Sequence, residues 1–191
     1  MNINKLFKRK HINVHRHKRN ISTAQSVAFS AILCALGVVI LYLGSIIEMI
    51  DITMATFASF LIIVCMIEIS GYMPYLTYAV TFSLALLLLP NKTVALVYGL
   101  FFGYYPILKN FLERLPFAWS WIAKFATFNI AIFSCYFFAK EYIFPDLDSV
   151  RMYIVLLLNV IMFTLDLAQT LFVTAYVRKF RRMLGIHRFF K

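Results

Sequence analysis

Asp166 is the only charged side chain in an apolar run of about 26 residues, Met152 to Val177 (MYIVLLLNVIMFTLDLAQTLFVTAYV). A carboxylate at that depth in hydrocarbon costs several kcal/mol unless it is paired, neutralised or turned toward water. A second internal charge, Lys124, lies in the preceding apolar run, Phe117 to Ala139. If both runs are helices crossing in opposite directions, Lys124 is seven residues from its inner end, about 10 Å, and Asp166 eleven residues from its own, about 16 Å, at 1.5 Å per residue. These depths differ by roughly one helical turn, which a lysine stem spans. The chemistry open to them is a buried ion pair, with a ligand contact or a proton-linked site as the alternatives. Glu68, Lys109, Glu113 and Arg114 complete the set of charges near the inner ends of apolar runs, and Glu68 reads as a side chain snorkelling to the surface.

Other reactive side chains narrow the chemistry by exclusion. Cys34, Cys65 and Cys135 are isolated in apolar runs, where a thiol acts as a small hydrophobe. His11, His15, His17 and His187 all lie toward the ends, and the His11-x-x-x-His15-x-His17 spacing is surrounded by Lys and Arg, which disfavours a cation site. There is no Gly-rich phosphate loop, no His-Glu-x-x-His and no nucleophile beside a base. No enzymatic activity, cofactor or metal is expected.

The elements that must position these residues follow from composition. Of 191 residues, 62% are hydrophobic, 17% aromatic and only 14% charged, too apolar for a soluble domain of this size to bury. Residues 1–20 carry seven Lys/Arg and no acid, and residues 178–191 carry six and no acid, so 13 of the 19 basic residues are terminal. Abutting hydrophobic segments, these ends are expected on the cytoplasmic face against anionic lipid headgroups rather than on nucleic acid. The first apolar run is too long for a signal peptide and lacks a cleavage site.

Apolar runs and their interruptions predict an all-α, polytopic membrane bundle of six transmembrane helices: Ser26–Ile47, Ile52–Ile69, Tyr75–Leu89, Thr93–Leu108, Phe117–Ala139 and Met152–Val177. Residues 1–22 form a basic cytoplasmic segment, 23–177 the transmembrane domain and 178–191 a basic cytoplasmic tail. Ser70-Gly71-Tyr72-Met73-Pro74 is a turn signal, Lys109 and Arg114 fall in an inner turn, and Pro90 and Pro106 leave a kinked or re-entrant element open for 75–108. An even number of spans returns both basic ends to one side.

Small residues recur at helical spacing in three spans: Ala31 with Ala35, flanked by Ala28 and Gly37; Ala55 with Ser59; and Gly99 with Gly103. Such notches let backbones approach where no hydrophobic drive exists between helices. Gly99 and Gly103 read as packing within the bundle, whereas Ala31 and Ala35 are open to a helix of another protein.

With Ala31-Ile32-Leu33-Cys34-Ala35 in the first span and Gly71-Tyr72-Met73-Pro74 after the second, the chain resembles the substrate-binding S component of energy-coupling factor transporters. The resemblance covers most of residues 20–180. It implies a bacterial plasma-membrane subunit that takes up a small polar, vitamin-like nutrient, with a transmembrane coupling protein docked on Ala31 and Ala35 and ATPase subunits supplying the energy. It also implies a substrate site in the outward half, under the loop Gly44–Thr53 with Glu48 and Asp51, near Tyr98, Asn129, Tyr136 and Asn159. The other reading of the same residues is a membrane scaffold subunit, for example in cell-envelope assembly, with no pocket.

Overall fold

The computed structural model describes residues 22–69, 71–143 and 152–180, and every element among them is helical. The basic ends therefore lie outside the described residues apart from the start of the tail at Arg178 and Lys179, as do the side chains of Glu48, Cys135 and Tyr136.

Helix α1 (Thr23–Ile46) opens on a capping box. Ser22 Oγ accepts from Gln25 N while Ser22 N donates to Gln25 Oε1, each at 3.2 Å, so the helix starts three residues before the sequence pattern places it. One 3₁₀ turn (Glu48–Ile50) leads into α2 (Asp51–Glu68). Gly71, at φ 96°, turns the chain where a side chain would strain the backbone, and Pro74 sits in the first turn of α3 (Met73–Leu88), as the turn signal predicts.

The fourth apolar stretch is interrupted. Asn91 caps α4 (Lys92–Val97) through Oδ1 and Thr93 N at 3.0 Å, a π turn follows over Tyr98–Gly103, and α5 runs Tyr105–Leu112. Pro106 brings no N–H to a preceding carbonyl, and the wider turn before it is where the helix absorbs that loss. The region is an interrupted helix rather than one uninterrupted α-helix. Helix continues past Leu108, and Lys109 lies on α5 rather than in a turn. Two long helices complete the bundle, α6 (Phe117–Ile143) and α7 (Met152–Ala175), the latter ending in a π turn (Tyr176–Phe180).

Three segments are long and apolar enough to cross a membrane, Thr23–Ile46, Asp51–Glu68 and Leu156–Lys179; Met73–Leu88 is a shorter apolar helix. Large apolar side chains are presented outward along them, among them Ile32, Leu36 and Val39 on α1 and Leu156, Val160 and Leu171 on α7. The interior core joins α1 to α7 through Leu41, Ala58, Ala85, Val94, Tyr98, Phe128 and Met162. A second core of Leu33, Cys65, Ile69 and Met73 closes the other end of α1–α3. There Cys65 lies 3.8 Å from Ser30 and 3.4 Å from Thr77, a thiol packed among small hydroxyls.

A buried charge cluster as the candidate functional site

Three helices meet at the Asp166 carboxylate. Lys124 of α6 donates to Oδ1 at 2.8 Å, as the depth argument predicts. Two further donors reach the same oxygen from α5: Lys109 Nζ at 2.9 Å and the Tyr105 hydroxyl at 2.9 Å. Lys109 also bonds the Asp166 backbone oxygen and, at 2.7 Å, Thr170 Oγ1. The lysine thereby satisfies a carbonyl one turn from the Thr170 hydroxyl that also bonds it, at 2.8 Å.

The fourth charge is Glu113. Its Oε1 lies 3.2 Å from Lys124 and 3.9 Å from Lys109. Burial divides the cluster sharply: the side chains of Lys124 and Asp166 are 2% exposed and that of Lys109 7%, but that of Glu113 is 39% exposed. Trp121, one turn from Lys124 on α6, sets its ring 5.2 Å from the ammonium, a face that attracts a cation.

Each helix delivers its groups through simple periodicity. Tyr105, Lys109 and Glu113 are spaced by four and share one face of α5 and its end; Asp166 and Thr170 do the same on α7. Two ammonium groups and two carboxylates balance, so the cluster is neutral only when Glu113 is counted. The expected Lys124–Asp166 pair is thus present but is one edge of a larger network. Lys109 and Glu113 stand in the sequence as charges near the inner ends of apolar runs but not as partners of Asp166, and Tyr105 and Thr170 are the members that sequence reasoning leaves out. The signal that finds them is the four-residue spacing on α5, whose polar and apolar residues separate more clearly than on the long helices.

Glu68 differs from expectation. It is buried rather than snorkelling, and the Tyr176 hydroxyl donates to its Oε1 at 3.3 Å, joining the end of α2 to the end of α7.

Of the residues assigned to a ligand, Asp51, Tyr98, Asn129 and Asn159 have described side chains, and among these only the two asparagines meet. Asp51 begins α2, and its Oδ1 accepts from Ile52 N at 2.6 Å, where a carboxylate complements the positive helix end. Tyr98 is fully buried in the core, its ring 6.3 Å from that of Tyr78. Asn129 and Asn159 bond each other reciprocally across α6 and α7, at 3.0 and 3.2 Å. Asn159 also borders an open depression of about 290 Å³ with Phe125, Leu156, Val160 and Phe163, an apolar lining with a single amide.

The small-residue pairs divide by direction. Ala55 and Ser59 are fully buried, and Gly99 and Gly103 lie under rings: a Cβ on Gly99 would collide with Phe82, and one on Gly103 would stand 2.8 Å from Tyr78 and 2.9 Å from Tyr98. Ala31 and Ala35 are exposed, beside exposed Ile32 and Leu36. Among the described residues no group of three or more His, Cys, Asp or Glu is placed to hold a metal ion. The chain matches no family model, no curated protein and no solved structure.

Proposed function

We propose that this chain is a substrate-binding subunit of the bacterial plasma membrane for uptake of a small polar nutrient, working with a transmembrane coupling protein and separate ATPases. In this reading the chain crosses six times with both ends cytoplasmic. The three long apolar helices are joined as spans by α3, by the interrupted α4–π–α5 stretch and by α6. The clustering of 13 of 19 Lys/Arg in the end segments supports that orientation and a contact with anionic headgroups.

The observation that carries the proposal is the outward direction of Ala31 and Ala35. The other small-residue pairs are consumed by packing inside the chain, whereas this one is exposed on a largely apolar helix. A notch of that kind admits a second helix at close range, which is the geometry a docked coupling protein requires.

A second reading, the scaffold subunit, draws support from a different observation. Asn129 is closed on Asn159, so these amides already have partners within the chain, and Tyr98 is enclosed by core side chains. Native mass spectrometry of the purified protein, followed by denaturation and identification of released small molecules, tests the two. A co-purifying small polar molecule, lost on Asn129→Leu or Tyr98→Leu, is the outcome expected for uptake. Protein that carries no such molecule yet retains partner subunits through Ala31 and Ala35 favours the scaffold.

A further inference from the structure

The charge cluster contains an imbalance that its most exposed member corrects. Without Glu113, two buried ammonium groups face one carboxylate, leaving an excess positive charge inside the bundle. Such a charge is costly away from water and attracts any anion with access to it. Glu113 supplies the second negative charge, but on weaker terms than Asp166. Asp166 Oδ1 takes three donors within 2.9 Å and is sealed from solvent, whereas Glu113 stands 3.2 and 3.9 Å from its lysines and is 39% exposed.

Glu113 also occupies a position from which it can leave. It caps the last turn of α5 and is followed by the exposed residues Arg114, Leu115 and Pro116 before α6 begins. Arg114, with its guanidinium 5.8 Å over the Phe111 ring, adds a positive charge next to Glu113. Glu113 is the exposed member of the cluster and adjoins the exposed residues of the α5–α6 turn, while Asp166 is held by three donors of its own.

We propose that Lys109 and Lys124 form a carboxylate-binding site that the chain fills with its own Glu113, and that a small free carboxylate reaching the α5–α6 turn competes for it. The class of ligand follows from the shape of the present occupant. A single carboxylate oxygen approaches both lysines, and the room vacated is that of a two-carbon acid. This site is distinct from the Tyr98 and Asn129 residues discussed for uptake and does not depend on that reading.

Chemical rescue tests it. Full-length Glu113→Ala is purified in nanodiscs, and its thermal unfolding is followed in sodium acetate and in sodium chloride at equal ionic strength. The variant should unfold below the wild type in chloride and regain about 2–4 °C in acetate, a shift readable for a chain of this size. The wild type, already occupied, should show a smaller acetate response. Adding Lys124→Met balances the remaining charges and should abolish the response to acetate. Equal Tm values for Glu113→Ala in the two salts overturn the proposal, as does an acetate gain that persists with Lys124→Met. If the alanine variant is not recovered in chloride, extraction in acetate is compared: recovery there supports the site, and failure in both salts overturns it.

Discussion

The two sides of this bundle are held by different means. Between α1, α2, α3 and the π turn the helices approach through absent or small side chains: Gly37 beneath Thr81, Gly44 beneath Met54, Gly99 beneath Phe82, and Ala55, Ala58 and Ala85 buried. Between α5, α6 and α7 apolar packing such as Trp121 on Phe163, ring centroids 5.5 Å apart, is joined by polar contacts, the four-charge cluster and the Asn129–Asn159 amide pair. The lesson is one of geometry. Dispersion between close backbones needs many near contacts and tolerates no added atom, whereas a few charged groups join helices at the length of a lysine stem but tolerate no missing partner.

The strongest test of the contrast removes a charge. Asp166→Asn leaves Lys109 and Lys124 facing only Glu113, and should destabilise by about 3–5 kcal/mol, read as chemical or thermal unfolding in nanodiscs. A two-residue pair would be rescued by Lys124→Met; here that change leaves buried Lys109 with only Glu113, exposed and 3.9 Å away, as its counter-charge, so rescue should be partial. Full recovery with Lys124→Met alone would reduce the cluster to a simple pair. A Lys124–Asp166 coupling below about 0.5 kcal/mol in a double-mutant cycle would remove it from the account of stability altogether.

On the close-packed side, the sharpest probe adds a methyl. Gly99→Ala drives a Cβ into the Phe82 ring and should cost about 1–3 kcal/mol as the ring or α3 gives way. Combining it with Phe82→Leu should return part of that loss. If Gly99→Ala unfolds with the wild type, close approach is not what holds α3 to the π turn.

The amide pair should matter less than either. Asn129→Leu alone leaves Asn159 without its reciprocal partner and should cost about 0.6 kcal/mol, a typical interhelical hydrogen bond in a membrane, while the double Leu variant should be near neutral. A loss as large as that of Asp166→Asn would show that neutral and charged contacts are equivalent here, and the contrast would fail.

The smallest effect on stability belongs to Ala31→Leu. Its side chain faces outward, so the unfolding midpoint should stay within about 0.5 kcal/mol of wild type. Co-purification with partner subunits should fall sharply. Unchanged partner recovery would make the exposed notch a lipid-facing surface and leave α1 without a docking role.

Some of this was legible from residues alone. Apolar run lengths, the Ser70–Pro74 turn signal and the terminal charges yield an all-helical chain rich in membrane-length segments. Depth along a helix is additive, at about 1.5 Å per residue, which is why counting from the ends of two runs brings Lys124 to Asp166. Rotation about the helix axis is another matter. Long helices this apolar carry only a faint inward face, on α1 the small residues Ser26, Ser30, Gly37, Gly44 and Ser45, and the run of apolar residues alone does not separate inward Ala55 from outward Ala31. Nor does it mark Asn129 and Asn159 as mutual partners rather than open donors. Pro106 and the π turn before it, by extending helix through Leu112, carry Lys109 out of an apparent surface turn and onto Asp166. Sequence determined which charges could not stand alone in hydrocarbon; only the packing of three helices decided which partners balance them, because that balance depends on neighbours in space rather than along the chain.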